Sequence, residues 1–459
     1  MMAAARQSQP LQVIQVSHLI DERGLSAINI LLIVWSLFIV FVDGYDISAI
    51  SFAAPAIAKS WNIVDRGAFG AVFSASLVGI LFGSGLFGWV GDRYGRKKAL
   101  IGSMVVFGIF TWIAAYSTTL THLFWLRLVA GVGIGGVIPN VVAMNIEFAP
   151  RRLRSTLAII AVGLVPISAG IPGVVAATLV PTHGWQIIFL IGGIAPLVIS
   201  VIAWFVLPES IKYMAIHEGH RKDMERLIAN LRPDLKIAPD ARFVIEDEKQ
   251  YPGFNPKYLF RDGLHLITPL LWLLFALNLM GYFFLLSWTP LLLTTAKLPL
   301  QIAAAAGTAL QVGGTIGSFV ICRPIDKYGF KPITLLFVCS VPIVGSIGFV
   351  GLGGSLPALV LVSFLAGFCV LGIQSAINVA GALIYPTSLR ANGSGWELGL
   401  GRIGSIVGPL VGGAFVTLPI QQLYMWSALP FFVGAIVCYM ISRLNEARLA
   451  GRMGQPAVQ

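Results

Sequence analysis

Residues 88–98 read GWVGDRYGRKK, and residues 322–332 read CRPIDKYGFKP. Each is a short basic break between two long apolar runs, and Asp92 and Asp326 fall about half a chain apart, so the second stretch is a degraded copy of the first. In the copy Cys322 stands where the first has Gly88, and Phe330 where it has Arg96. A membrane chain made of two similar halves, each with the same charged turn, has the organisation of a secondary transporter. In such proteins alternating access is the rocking of one repeat against the other.

The 459 residues are 57% hydrophobic and 11% charged, with a mean hydropathy of +0.84. Soluble domains carry roughly 25% charged residues, which excludes that class. Apolar stretches long enough to span a bilayer recur near 27–50, 67–90, 98–117, 121–145, 156–179, 186–207, 268–293, 301–321, 333–352, 357–384, 394–417 and 422–441. The expected fold is all-α and integral to the membrane, with about twelve transmembrane helices in two pseudo-symmetric six-helix bundles. The chain divides into a segment 1–26, a bundle 27–207, a polar interval 208–265, a bundle 266–443 and a tail 444–459. The interval reads as a tether, with 212–230 able to form a short amphipathic helix.

A formal charge of +11 would suit nucleic acid, but its placement points elsewhere. The two motif loops hold Arg93, Arg96, Lys97, Lys98, Arg323, Lys327 and Lys331, and Arg151, Arg152, Arg154 and Arg390 fall on the same side when spans are counted. The opposite short loops hold only Lys59, Arg66 and Lys297. Cytoplasmic loops retain Lys and Arg during insertion, so both termini are expected in the cytoplasm and no nucleic-acid partner is expected. Residues 1–25 show no small-residue cleavage site behind an apolar core, so no cleaved leader is expected. Four scattered cysteines and six histidines without ligand spacing support neither a disulfide framework nor a metal site. Gly131-x-Gly133-x-x-Gly136 formally matches a dinucleotide fingerprint, but no strand precedes it, and the match is rejected.

Ionisable residues inside apolar spans are the sharpest functional signal, since each costs about 2.5–3.5 kcal/mol at a helix centre on insertion scales. Asp43 and Asp46 of the first span lie at i,i+3, on one helix face. Two full charges ~6 Å apart at an effective dielectric of ~20 repel by about 3 kcal/mol, so such a pair favours retaining one proton. The competing reading has one Asp cap a helix break at Gly44 and the other pair with an arginine. Arg127 in the fourth span and Arg402 at mid-depth in the eleventh are candidates for receiving an anionic substrate. Arg127 also suits an ion pair with the first span. Tyr45, Asn278, Tyr282, Gln311, Gln374, Asn378, Tyr385 and Trp396 are candidate cavity residues, although interhelical packing would use the same side chains. Gly88, Asp92, Arg93, Gly95, Arg96, Asp326 and Arg390 form a gating set. Glu147, at the inner end of the fourth span, suits a salt bridge to it. Glu397 lies about 140° around the helix from Arg402 and carries no assigned role.

Taken together, Asp43-Gly44-Tyr45-Asp46, the 88–98 loop, Pro139-Asn140, Glu147-Phe148-Ala149-Pro150, Pro208-Glu209-Ser210 and Tyr385-Pro386-Thr387…Arg390…Gly401-Arg402-x-Gly404 form one set. In that set the chain resembles the aromatic acid:proton symporter family of the major facilitator superfamily. The resemblance spans nearly the whole chain, and its specific part is the D-G-x-D of the first span with the G-R-x-G of the eleventh. It implies uptake of small aromatic or ring-cleavage carboxylates such as 4-hydroxybenzoate, benzoate or muconate across a bacterial inner membrane. It also implies that Asp43 and Asp46 serve transport and that Asp92 and its neighbours control switching. No cofactor is expected, only the proton as coupling ion, and the chain is expected to act as a monomer among membrane lipids.

Physics favours a coupled mechanism independently. A carboxylic acid with a model-like pKa near 4 is an anion at neutral pH. Drawing it inward against ~100–150 mV costs about 2.3–3.5 kcal/mol, which one co-transported proton removes. Drug efflux is the nearest rival. Its G-x-x-x-G-P-x-x-G-G string occurs here at Gly404–Gly413 in the eleventh span, whereas the fifth reads Gly163-Leu164-Val165-Pro166. A symporter for another organic anion or a sugar acid is the alternative, although a sugar or sugar-acid symporter would not be expected to show the D-G-x-D. An enzyme would need a nucleophile–base pair or a metal cluster, and a sensor would need a larger soluble domain.

Overall fold

The computed structural model describes residues 13–23, 25–216, 221–231, 242–244, 256–261, 263–353, 355–385 and 389–453. The ends of the chain, much of the central interval and the side chains of Asp326 and Arg390 lie outside the described residues, and so does the gating role expected of those two side chains.

A strand β1 (Val13–Gln15) and a helix α1 (Val16–Arg23) lead into the first span, α2 (Ala27–Ser60). The first half continues with α3 (Phe69–Tyr94), α4 (Arg96–Ala114), α5 (Leu120–Phe148), α6 (Arg154–Val162), α7 (Val165–Ser168), α8 (Ile171–Thr178), α9 (Val180–His183) and α10 (Gln186–Val206). The interval contributes α11 (Ile211–Ile216), α12 (Arg221–Leu231) and β2 (Arg242–Val244). The second half holds α13 (Ile267–Thr295), α14 (Leu300–Val320), α15 (Cys322–Tyr328), α16 (Lys331–Leu352), α17 (Leu356–Ile384), α18 (Arg390–Phe415), α19 (Ile420–Ser427) and α20 (Leu429–Met453).

Among the described residues, eleven helices are long and apolar enough to cross a membrane. The expected fifth span, 156–179, is not one helix but three pieces, α6, α7 and α8. Pro166 and Pro172 each lack an N–H, and each sits at the start of a new piece, which leaves carbonyls without helical donors. Neighbouring spans bond carbonyls at the break between α7 and α8. The Ser48 hydroxyl of α2 donates to Ala169 O at 2.7 Å, and the Thr308 hydroxyl of α14 donates to Gly170 O at 3.0 Å. Broken helices are tolerated in lipid only where such partners exist. By contrast, α2 runs unbroken through Gly44, so no acid caps a break there.

The duplication is visible in the packing. In the first half α3 lies against α5, and in the second α14 lies against α17. Both contacts need glycine. A Cβ on Gly79 or Gly83 would lie 2.2 or 2.0 Å from a carbonyl oxygen of α5, and one on Gly313 or Gly317 would lie 2.0 or 2.2 Å from a carbonyl oxygen of α17. Gly79 and Gly83 precede Asp92 by the same spacing with which Gly313 and Gly317 precede Asp326. Likewise Asp43 precedes Pro55 in α2 by the same interval that separates Asn278 from Pro290 in α13. Between the halves, α3 packs on α18, α2 on α13, and α7 and α8 on α14.

The interval is more than a tether. On the side of the motif loops, β1 pairs in parallel with β2. Ile14, Val16, Ile20, Met214, Met224, Leu227 and Ile228 are buried in one apolar cluster with the first half. The helix expected at 212–230 is two helices, α11 and α12. Residues 217–220 between them lie outside the described residues.

Candidate functional site

Asp43 is the seventeenth of the 34 residues of α2, and Arg402 the thirteenth of the 26 residues of α18. Both therefore stand near the middle of their spans. Three residues beyond Asp43, Asp46 is held by Arg127 of α5, and both side chains are 0% exposed. Arg127 Nη1 donates to Asp46 Oδ1 at 3.0 Å, and Nη2 to Oδ2 at 2.8 Å and to the Asp46 carbonyl at 3.0 Å. Nη1 also reaches the Thr111 hydroxyl at 3.3 Å, and Nε reaches the Ser76 hydroxyl at 3.0 Å. Thr111 in turn donates to Asp46 Oδ1 at 2.9 Å, and the guanidinium lies over the Phe189 ring. A guanidinium has five N–H donors, and all five are used here. Arg127 has nothing left for a substrate, and Asp46 is fully engaged. Of the two sequence readings for this pair, the arrangement is that of an ion pair locking α2 to α5.

Asp43 is the opposite case. It is 0% exposed, and among the described residues neither carboxylate oxygen has a hydrogen-bond partner. Arg402, from the other half of the chain, is near enough for its charge to act on Asp43. No ion pair within 4.0 Å joins the two among the described residues. The Arg402 guanidinium donates no hydrogen bond among them, although its carbonyl accepts from Ser405.

The surroundings of Arg402 follow from its helix face. Positions 413, 409, 406, 402, 399 and 395 of α18 recur at steps of three and four and form one stripe. The corresponding stripe starts at 67 in the turn before α3 and runs along α3 through 70, 74, 78, 81, 85 and 88. At one end the stripes interlock. A Cβ on Gly67 would lie 2.7 Å from Gly413 O and one on Gly70 2.9 Å from Pro409 O. Ser74 donates to Ile406 O at 2.8 Å. Phe73 meets Trp288 edge to face at 5.2 Å, and the indole N–H of Trp288 donates to Pro409 O at 3.0 Å. At the other end a Cβ on Gly85, Gly88, Gly395 or Gly399 would meet nothing within 4 Å. The close contacts between the two helices thus lie on the side away from the motif loops, and the glycines nearer the motif side have open space beside them.

The remaining sequence candidates divide. Asn278 donates to Gln374 Oε1 at 2.8 Å, Gln374 to Asn378 Oδ1 at 3.5 Å, and Gln311 to the Tyr282 hydroxyl at 3.2 Å. Asn278 Oδ1 and Gln311 Oε1 are buried without a partner among the described residues, so the second half offers polar groups with unused capacity. Tyr45 turns away from the seam, and its hydroxyl donates to Ile188 O at 3.1 Å within the first half. Trp396 stacks on Trp272 at 6.0 Å. Glu397 is buried against Gly381 and near Tyr385, whose hydroxyl donates to Thr268 at 3.3 Å.

The gating set forms a network inside the first half. Arg96 contacts Asp92 Oδ1 at 2.5 Å, Glu147 Oε1 at 3.8 Å and Asn140 Oδ1 at 3.5 Å. Ser210, missed by the sequence reading as a site residue, donates to Glu147 Oε2 at 2.5 Å. Glu209, also missed, accepts from the Lys97 and Ser210 amides, each at 2.9 Å. Gly95 has φ +105°, and a Cβ there would meet the Glu209 carboxylate at 2.6 Å. Arg93 lies outside the network, over the Trp89 and Tyr94 rings, and Gly88 faces open space. Among the described residues no group of three or more His, Cys, Asp or Glu side chains could hold a metal.

Residues 36–396 match the family model of the Major Facilitator Superfamily. The chain is 32% identical to the gallate transporter of Pseudomonas putida, over 92% of this chain and 94% of the relative. It is 35% identical to the 4-hydroxybenzoate transporter PcaK of Acinetobacter baylyi, over 86% of each, and 30% identical to the benzoate transport protein of the same species, over 95% and 94%. Among solved structures it is similar to an inward-facing, unoccupied bacterial homolog of the lysosomal transporter Spinster, with a TM-score of 0.72 over 93% of this chain and 99% of that one at 15% identity. A D-xylose–proton symporter gives a TM-score of 0.63 over 88% and 97% at 16% identity. These findings fit the doubled glycine packing, the charged turns and the seam between the halves: the chain is a multi-pass membrane transporter, not an enzyme, and belongs to the Major Facilitator Superfamily, in the family that holds these aromatic-acid transporters.

Proposed function

We propose that the chain imports small aromatic carboxylates together with one proton across a bacterial inner membrane, with the motif side and both termini in the cytoplasm. The aromatic acids carried by its relatives and the Lys/Arg asymmetry of its loops support the substrate class and the orientation. In that orientation the interlocked end of α3 and α18 faces outward. Both halves of the site come from one chain, so a monomer suffices.

The observation that carries the coupling is the contrast between Asp46–Arg127, fully bonded, and Asp43 and Arg402, which come from opposite halves of the chain and whose charged groups have no hydrogen-bond or ion-pair partner among the described residues. Asp43 takes the proton and Arg402 receives the substrate carboxylate in a two-pronged hydrogen bond. With both bound, the site is neutral: a protonated Asp43 beside a paired Arg402. With both released, it is neutral again, because ionised Asp43 balances Arg402. With only one bound it carries a net charge, and closing the seam over an uncompensated charge costs several kcal/mol. The halves therefore exchange sides fully loaded or empty, which couples the acid to the proton. Aromatic acids differ in ring substituents, and Asn278 and Gln311, each with an unused acceptor, supply hydrogen bonds for them.

Uptake of a panel of radiolabelled aromatic acids by cells expressing the chain, with and without a pH gradient, tests the reading. Accumulation of at least one acid that collapses with a protonophore is expected. Equilibration without accumulation, or uptake indifferent to the gradient, would count against coupling.

A further inference from the structure

Lys59, Arg66 and Lys297 are the only Lys or Arg residues of the short loops away from the motif side. Two of them line one cavity of about 1140 Å³ whose walls come from both halves: the end of α2, the turn to α3 and α9 on one side, the ends of α13 and α14 on the other. No Asp or Glu lines it. Asp65 is next in sequence to Arg66, but its carboxylate accepts from the Gly67 amide at 2.9 Å. Lys297 stands exposed in the α13–α14 turn, at φ +66°, between wall residues Thr294 and Leu298. Loops that cross the membrane during insertion are depleted of Lys and Arg, yet those present here gather around one mouth.

We propose that this vestibule is a collecting site for the substrate's carboxylate, an inference that rests on the import reading above. A cationic cleft with low-dielectric walls raises the local concentration of anions and their rate of arrival. The cavity lies between the two halves on the side away from the motif loops, where an anion would wait for the halves to part. Arg66 also ties the halves together, since its guanidinium donates to the Thr295 hydroxyl of α13. A carboxylate that takes over Arg66 competes with that tie, so the anion that must enter also loosens the closed side. Lys59, exposed and without a role in the tie, serves capture alone.

The test is the initial rate of uptake of radiolabelled 4-hydroxybenzoate, or whichever panel acid is carried best, by cells at varied external ionic strength. For the unaltered chain KM should rise with salt, because exposed charges are screened within about 10 Å at 0.1 M. Lys59→Gln should raise KM about three- to tenfold at low salt, keep kcat, and flatten the salt dependence, and Lys59→Arg should restore both. Thr295→Val, which removes the tie and keeps the charges, should retain the salt dependence. An unchanged KM and salt slope in Lys59→Gln, or a fall in kcat alone, would overturn the proposal while leaving import standing. If the unaltered chain takes up no aromatic acid, the import reading fails and the collecting site falls with it.

Discussion

Asp43 of α2 and Arg402 of α18, from opposite halves of the chain, make no ion pair within 4.0 Å among the described residues, while Asp46, one turn along α2, is bonded through both oxygens to Arg127. Two acids that share a helix face thus do different work. One is spent on joining α2 to α5, and the other is buried with no hydrogen-bond partner among the described residues.

The first consequence concerns stability. Removing one partner of a buried pair strands the other and costs about 3–5 kcal/mol. Asp46→Asn should therefore lower the thermal midpoint of the purified protein markedly, and by clearly more than Asp43→Asn, since Asp43 makes no hydrogen bond to the charge it balances. Equal losses in the two variants would show that the acids are not divided as described.

A second concerns recognition. Arg402→Lys keeps the charge but loses the planar fork that grips a carboxylate. Hydrogen bonds to charged groups contribute about 1.5–3 kcal/mol, so binding of the transported acid should weaken by roughly 10- to 100-fold. Calorimetric or scintillation-proximity titration in detergent would measure it. Affinity within a factor of two of the unaltered chain would remove Arg402 from the substrate.

A third concerns the seam. A side chain at Gly70 has no room beside Pro409 O and Gly413, so Gly70→Val should drive the interlocked end apart. A cysteine placed at Leu291, buried at the floor of the outer vestibule, should then react faster with a membrane-impermeant thiol reagent added outside. No acceleration would mean that this contact does not set the closed state.

Much of the fold is legible in the residues, because span length, the doubled charged turn and loop charge are local signals. The break in the fifth span is also written there: Pro166 and Pro172 sit close together between Gly163 and Gly173, yet overall apolarity hides two missing N–H donors. The pairing of Asp46 with Arg127 is one of two open readings, because the i,i+3 spacing places two acids on a face without saying which neighbour that face meets. Ser76, Thr111, Ser48 and Thr308 carry no sequence signal at all. Their roles depend on contacts between distant spans, as does the pairing of β1 with β2. Glu209 and Ser210 stand out only as a superfamily signature, and their work on the Gly95 turn and Glu147 requires the packing of α11 against α3 and α5.

The most direct test of coupling through Asp43 is a paired transport assay on Asp43→Asn in proteoliposomes with the acid identified by uptake. A neutral side chain at 43 leaves Arg402 uncompensated when the site is empty and balanced when the carboxylate is bound. The variant should therefore exchange labelled for unlabelled acid across the membrane at a rate near that of the unaltered chain, yet fail to accumulate it when an inward proton gradient is imposed. Gradient-driven accumulation by Asp43→Asn would place the proton on another group and contradict the mechanism.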